Sequence, residues 1–585
     1  IYCYYCTRNQ KHRMKKNQLI KMSLAALAGA FFIQGCTLVK DIEYKVNPNP
    51  VEMHGDTVTL NINGKFVEKG LHKKAVVEVT PVIIGSDGQE RAFKTETFQG
   101  PKAAGNGKVI PKEGGSFSYT AKVPYTPNME VSEIKVKILP KKGTKEKALI
   151  TTDKIADGTI ITPYLMMSDD KVIFGKDKFV RVTSHTAEMV INYEKGRHEV
   201  RGSELKDKDY VDFMKWVAAA LKNERIDIKN ITIPAYASPE GEIAINSTLA
   251  DDRARTAAEA IAKEAKKMKW EKAQDAKSSF YVLQGKGEDW DGFKTELEAT
   301  NIADKELILR VLSMYSDVNK REQEIRNMAK TFQELEKKVL PKLRRSAVTL
   351  NYDLTGKTDQ ELTEWSKSKP DSLTIEELLF AATLSNDLNE KLRIYNEVSR
   401  IYPNDWRGFN NAGAILFMQG KLNDANSLFD KAAGLASSES IIKNNLAACA
   451  RQKGDRAKAE KLLGEASGAG DEVSYNMGLL NIQKGKYGEA VSQMSKFKTF
   501  NLALAQLLNG NGSEATSTLD GSQEKDAALS FYLRAIIAAR ANKIEEVKSN
   551  LTSAIQKDSA LKAKAAKDRE FLKFASDASF QAIVK

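Results

Sequence analysis

A short pattern recurs through the last third of the chain and constrains its fold more than any other feature. A small residue is followed seven positions on by a turn residue, and in most copies by alanine five beyond that. Gly413, Gly420, Ala425, Phe429 and Ala432 form the clearest unit, repeated as Ala447, Gly454, Ala459, Leu463 and Ala466, and again as Gly478, Gly485, Ala490 and Met494. Looser copies are Ala503, Gly510, Ala515, Leu519 and Ala535, Asn542, Val547, Leu551, Ala554; a divergent first unit is Leu379, Asn386, Lys391, Tyr395. The leading positions lie 34, 34, 31, 25 and 32 residues apart. Small residues let two helices approach closely, and a glycine or asparagine ends the first helix so that the chain reverses. Such a unit cannot bury its apolar face alone, so copies stack around a continuous core and leave a concave groove.

This spacing resembles the tetratricopeptide repeat. The resemblance implies an α-solenoid of such repeats over 373–585, closed by a capping helix in the Lys/Ala-rich tail after 560, with a groove that takes a peptide or a partner helix. Asn410, Asn444 and Asn445, on the first helices of their units, are candidate groove residues.

The N-terminus bears on the compartment. Residues 1–13, ahead of Met14, read poorly as protein and are expected to be an overrun of the true start. From Met14 the pattern is that of a secretory signal: Lys15, Lys16 and Lys21, then the apolar stretch Met22–Ile33. Ile33-Gln34-Gly35-Cys36 resembles the bacterial lipobox, which implies acylation of Cys36 and cleavage before it. Several acyl chains anchor a protein firmly without a membrane-spanning helix. Cys449 is then left without a partner, so cores rather than disulfides must hold the mature chain together. With alanines at 447, 448 and 450, it is expected to be a buried small hydrophobe. The formal charge of +13 does not argue for nucleic acid, because residues 1–35 carry six basic side chains and no acid; the remainder holds 84 basic against 77 acidic residues.

Between these ends lie two further textures. Residues 36–47 read as a tether. From 48 to 184, short alternating segments such as Val76–Ile84 and Ser116–Val123, separated by Gly/Asn/Asp/Pro clusters, predict a β-sandwich. From 185 to 353 strands alternate with helices: strands at Ala187–Tyr193, Ile228–Ala237, Phe280–Gln284 and Ala347–Tyr352, a long helix ending near Lys267, and helical segments over 291–340. Residues 354–372 read as a linker.

Within the alternating region, Gly241, Asn246, Leu249, Arg253 and Ala254, then Gly285-Lys286-Gly287-Glu288 and Leu343-Arg344-Arg345-Ser346, fall in the order and spacing that resemble the OmpA-like peptidoglycan-binding domain, a βαβαβ fold. Asn246 and Arg253 are two helical turns apart and share a face near a helix start, where free N–H groups favour an anion. A guanidinium there can take a carboxylate with two charge-assisted bonds. The resemblance implies that this pocket grips the carboxylate of diaminopimelate in the wall's stem peptide, with Arg253 as clamp. The family's acidic loop residue corresponds here to Ser238, and Glu240 stands two residues on. Ser238, Glu240, Asn246 and Arg253 are therefore the candidate ligand-binding residues.

The expected fold class is multidomain α+β: β-sandwich, OmpA-like domain, α-solenoid. The expected function is binding rather than catalysis, with no cofactor and no metal, since the five histidines are scattered and no zinc, phosphate-loop or Gly-x-Ser-x-Gly pattern supports an enzyme. The leading expectation is an outer-membrane lipoprotein facing the periplasm. It would hold peptidoglycan and scaffold an envelope protein in its repeat groove, the two attachments reinforcing one another. The alternative is an accessory subunit of an outer-membrane secretion or assembly complex.

Overall fold

The computed structural model describes residues 38–585, so Cys36 and the signal-like segment lie outside the described residues. Two compact units form: one joins the described residues up to Gly175 with Pro403–Lys585, and the other is Lys176–Tyr402.

The first unit begins as a sheet. Its strands are β1 (Ile42–Val46), β2 (Val51–His54), β3 (Thr57–Phe66), β4 (Val76–Ile84), β5 (Glu90–Ala92), β6 (Glu96–Gln99), β7 (Lys108–Val109), β8 (Gly115–Pro124), β9 (Ser132–Lys142), β10 (Lys145–Glu146), β11 (Ile150–Thr151) and β12 (Ala156–Ile160). Alternation is the cause: in β3 and β9 every second side chain is buried, which turns one face inward. The strands are joined in the order β1-β3-β2-β12-β9-β4-β6-β7, with β8 on β3. The expected two-sheet sandwich is therefore one continuous sheet folded over on itself. β2 makes the join, antiparallel to β3 on one side and parallel to β12 on the other. Leu60 and Ile62 of β3, Tyr119 of β8, Ile83 of β4 and Ile134 of β9 meet in the enclosed core.

Two boundaries differ from expectation here. The 36–47 stretch is not a free tether: Leu38 and Val39 are buried and β1 pairs with β3, because Ile42 has an apolar core to enter. The sheet also stops at Ile160 rather than 184; a short 3-10 turn, Thr162–Leu165, follows, and residues 166–175 run on as a strap without regular structure.

The second part of this unit is a stack of helical hairpins. Numbering helices in chain order, with α1–α10 falling in the other unit, the hairpins are α11 (Trp406–Met418) with α12 (Leu422–Leu435), α13 (Ser440–Gln452) with α14 (Arg456–Glu465), α15 (Asp471–Gln483) with α16 (Tyr487–Met494), α17 (Phe500–Leu508) with α18 (Gly512–Asp520), and α19 (Ala528–Arg540) with α20 (Ile544–Lys557). The repeat positions do what their sizes require: Ala425, Phe429, Ala432, Ala447, Ala459, Ala490, Ala503, Ala515, Ala535 and Ala554 have no exposed surface. A Cβ on Gly413 would meet the Phe429 ring at 2.8 Å, so the hairpin closes only around glycine. The tail is two short helices, α21 (Ala560–Lys567) and α22 (Ala578–Val584), rather than one capping helix.

The Lys176–Tyr402 unit contains β13 (Val182–Asn192), α1 (Lys208–Ala220), β14 (Ile226–Ala237), α2 (Ile243–Lys267), β15 (Tyr281–Glu288), the short helices α3 (Trp290–Glu298), α4 (Lys305–Met314), α5 (Val318–Asn327), α6 (Ala329–Lys338) and α7 (Leu340–Leu343), then β16 (Arg345–Thr355). Strand order is β13-β16-β14-β15; β16 is antiparallel to both neighbours and β14 and β15 are parallel. Ala254, Ala257, Ala258, Ile261 and Ala265 of α2 pack on Ile231, Ile233 and Ala235 of β14. The small alanines set a close helix–sheet approach, which Gly285 completes: a Cβ there would lie 2.8 Å from the Asp251 main-chain nitrogen. The expected linker 354–372 and the first expected repeat fold instead as α8 (Asp359–Ser368), α9 (Ile375–Thr383) and α10 (Leu388–Ile401), part of this unit. Capping boxes at Thr358/Glu361 and Thr374/Glu377 start α8 and α9, a local signal that the linker reading passed over.

Candidate functional site

Two clusters of polar side chains occupy the places where binding is expected, one in each unit.

The first lies where β14 ends and α2 begins. The three separated motif segments converge there. Asn246 donates to the Ser238 carbonyl at 3.2 Å and to Glu288 Oε1 at 2.7 Å, which ties the start of α2 to the Gly-Lys-Gly-Glu end of β15. Ser238 Oγ donates to Glu240 Oε1 at 2.5 Å. Arg344 Nη2 lies 2.8 Å from Glu240 Oε1, and Lys195 Nζ lies 3.0 Å from its other oxygen. Burial by itself would raise the Glu240 carboxyl, but Ser238, Arg344 and Lys195 together hold it below the usual carboxylate range.

Arg253 is 1% exposed, and each of its three nitrogens donates to a carbonyl: Nε to Arg197 at 3.0 Å, Nη1 to Tyr236 at 2.7 Å, Nη2 to Glu194 at 3.1 Å. Its guanidinium also sits 5.1 Å from the centre of the Tyr193 ring. Burial without a carboxylate partner pulls its pKa down to about 10. The expected clamp is thus turned onto its own backbone. It staples the 194–197 loop to the end of β14 by giving a donor to each of three main-chain carbonyls. Ser238, Glu240 and Asn246 do come together in one hydrogen-bonded cluster, whereas Arg253 bonds only main-chain carbonyls and joins none of the three.

Sequence reasoning missed Glu322 of α5. Burial and the neighbouring Glu288, whose side chain holds Asn246, raise its carboxyl to about 7, so near neutrality it is about half protonated. The signal was absent locally, since the two acids are 34 residues apart.

The second cluster lies along the first helices of four successive hairpins, α11, α13, α15 and α17. Asn411 Nδ2 donates to the Gly175 carbonyl at 2.9 Å while Gly175 N donates to Asn411 Oδ1 at 2.7 Å. Asn445 does the same to Ile173 (2.8 and 2.8 Å), Asn476 to Lys171 (2.8 and 2.8 Å) and Asn501 to Met167 (2.9 and 2.9 Å). A primary amide carries one acceptor and two donors, so it can pair with a peptide unit from both sides. Gly175, Ile173 and Lys171 alternate along an extended segment and therefore face one way. Asn410 and Asn444 add a bond each, to the carbonyls of Ile173 and Lys171. Asp170, next to the clamped Lys171, is bound bidentately by Arg451 of α13, the helix that also carries Asn444 and Asn445, and the Arg451 side chain is 2% exposed. Leu165, Val172, Ile173 and Phe174 enter the hairpin cores.

The groove expected to hold a partner through Asn410, Asn444 and Asn445 is thus filled by the chain's own strap. Asn411, Asn476 and Asn501 were missed, although a signal exists: asparagine stands two residues before the small repeat position in four successive units, ahead of Gly413, Ala447, Gly478 and Ala503. Cys449 has no exposed surface, and burial pushes its thiol up to about 12, so it is unreactive. No group of histidine, cysteine or acidic side chains able to hold a metal occurs among the described residues, and no helix among them is long and apolar enough to cross a membrane.

No protein-family model matches the chain, and no curated protein matches it. Solved structures similar to parts of it are repeat proteins. A tetratricopeptide repeat protein from Parabacteroides merdae is 12% identical over 39% of this chain and 89% of its own, with a TM-score of 0.27. PilF of Pseudomonas aeruginosa is 16% identical over 37% and 99%, with a TM-score of 0.29. YrrB, described as a TPR protein with an unusual peptide-binding site, is 17% identical over 35% and 99%, with a TM-score of 0.21. Scores this low carry nothing about function, and the hairpin array stands on its own geometry.

Proposed function

We propose that this protein is a non-catalytic scaffold of the bacterial outer membrane, lipid-anchored through Cys36 and facing the periplasm. Its strand–helix domain holds the stem peptide of peptidoglycan, and its helical array serves another envelope protein. The observation that carries the reading is the convergence of Ser238, Glu240, Asn246 and Arg344 on one small region at the start of α2. In it a carboxylate lies between two cations, a pairing suited to a zwitterionic diamino acid. The ligand's ammonium would take Glu240, and its carboxylate would take Lys195 and Arg344. Arg253 then acts as the staple beneath the pocket rather than as the clamp.

Co-sedimentation with purified cell-wall sacculi tests this. Arg253→Ala is a poor probe, because it strands three carbonyls. The paired variants Glu240→Gln and Lys195→Ala remove the ligand-facing charges and leave the staple in place. The wild type should pellet, and the double variant should lose at least tenfold in bound fraction; equal pelleting of the two would remove the pocket from the reading.

A further inference from the structure

The β-sheet of the first unit is electrically lopsided. Six exposed lysines, Lys40, Lys69, Lys73, Lys74, Lys102 and Lys112, gather at the end where β3 finishes and β4 begins. Main-chain bonds tie their segments together and to the first described residue. His72 N donates to the Leu38 carbonyl at 2.9 Å, and Lys40 N to Gly70, Lys69 N to Lys112 and Lys102 N to Lys73, each at 2.7 Å. The turn between β9 and β10 adds Lys142 and Lys145 at the same end, since Lys141 pairs with Val76 at the start of β4. Against them stand Asp41, Glu68, Glu113 and Glu146. Of these eight lysines, Lys69 alone makes an ion pair among the described residues, with Glu68 at 3.6 Å. Exposed like charges repel, so such a cluster favours an anionic surface opposite it.

The far end is the reverse. Its turns, 54–56, 85–89, 125–131 and 152–155, carry Asp56, Asp87, Glu130 and Asp153 and a single lysine, Lys154, which pairs with Asp157 at 3.0 Å. The helical array is attached at this end: Arg456 meets Asp56 at 2.6 Å, and Arg569 Nε donates to the Gly158 carbonyl at 3.3 Å. β3 has 10 residues, which puts the two ends about 30 Å apart, several Debye lengths at physiological salt. The chain also reaches the basic end without slack. Cys36 precedes Leu38 by two residues, a span of at most about 7 Å. Leu38 and Val39 are buried, and Val39 bridges Leu71. Acyl chains on Cys36 hold this end of the sheet, and not the other, against the lipid headgroups.

We propose that the basic end of the sheet docks on the anionic phosphate headgroups of the leaflet that holds the anchor, so that the array is presented at the opposite end, away from the bilayer. The choice of a membrane rests on the lipid-anchor reading: a polyanion in solution is attracted too, but headgroups beside an acylated Cys36 are there at high effective concentration. An acyl chain and a basic patch together give the two signals that firm membrane attachment takes.

The test uses residues 36–585 with Cys36→Ser, which keeps every described residue and cannot be acylated. Co-sedimentation is measured with mixed phosphatidylglycerol–phosphatidylcholine vesicles and with pure phosphatidylcholine vesicles. The protein should bind the anionic vesicles at least tenfold better, and raised salt should release it. Exchanging Lys73, Lys74, Lys102 and Lys112 for Glu should remove at least tenfold of that binding. The same exchange at Lys421, Lys431, Lys453 and Lys461, exposed lysines of the array, should leave it unchanged. All eight positions are exposed, so folding is preserved, and the salt dependence of the unaltered protein is read without any variant. No preference for anionic vesicles, or equal loss from the two exchanges, overturns docking. Incorporation of labelled palmitate at Cys36 in cells tests the anchor separately. Label without lysine-dependent vesicle binding keeps the anchor and overturns docking, while lysine-dependent binding without label supports the docking surface and removes the anchor.

Discussion

Arg451 and Arg253 are both almost without exposed surface, yet they solve burial differently. Arg451 meets a carboxylate, Asp170, that arrives from 281 residues earlier in the chain. Arg253 meets only carbonyls and the Tyr193 ring. In the first case two charges neutralise one another. In the second a lone cation is accepted because three peptide groups would otherwise go unpaired. A buried arginine in a sequence with a binding motif is therefore ambiguous: it can read an acid, or it can hold the backbone in shape. Only the partners distinguish the two.

The largest expected effect separates them directly. Asp170→Asn leaves the Arg451 charge buried and uncompensated, and should cost about 3–5 kcal/mol in urea unfolding, with the loss of protection located in the strap and the hairpins it touches. Arg253→Met removes a desolvated charge along with its bonds, so the relief offsets part of the damage. A cost of about 2–4 kcal/mol is expected, with hydrogen exchange showing the loss at the 194–197 loop and the end of β14. If Arg253→Met proves neutral, the staple is not holding those carbonyls and the contrast collapses.

The smallest effect concerns pH. The Glu322 carboxyl titrates near 7 in the folded protein and near the ordinary glutamate value when unfolded, so the folded state binds the extra proton between those two values. Its stabilising contribution is present below the unfolded pKa and is lost as pH rises through about 7. Amide protection in α5 should therefore fall as pH rises from about 4.5 to about 7 and level off above that, after correction for intrinsic exchange, and Glu322→Gln should flatten the profile. A profile unchanged by that substitution would show that Glu288 and Glu322 do not share a proton.

Legibility followed the range of the interaction. The strand patterns at Val76–Ile84 and Ser116–Val123, the long helix ending near Lys267 and the hairpin positions around Gly413 are local patterns, and the structure has β4, β8, α2 and α11 in those places. Boundaries were less legible where a segment's role depends on a distant surface. Leu38 and Ile42 look like a tether until the core beside β3 and β4 is present to receive them. The first expected repeat, from Leu379 to Tyr395, has the spacing of the others but lies in the Lys176–Tyr402 unit.

What the amino-acid sequence determined alone was the periodicity: where helices and strands form, which small residues let them approach, and that asparagines recur on the first helix of four successive hairpins. What only the tertiary structure decided was what those asparagines and arginines hold. The reason is physical. A primary amide paired with a peptide unit recognises atoms that every residue carries, and so leaves no complementary letter in the strap. A guanidinium bound to carbonyls is equally silent. Specificity written in main-chain atoms becomes visible only once the chain has brought the two segments together.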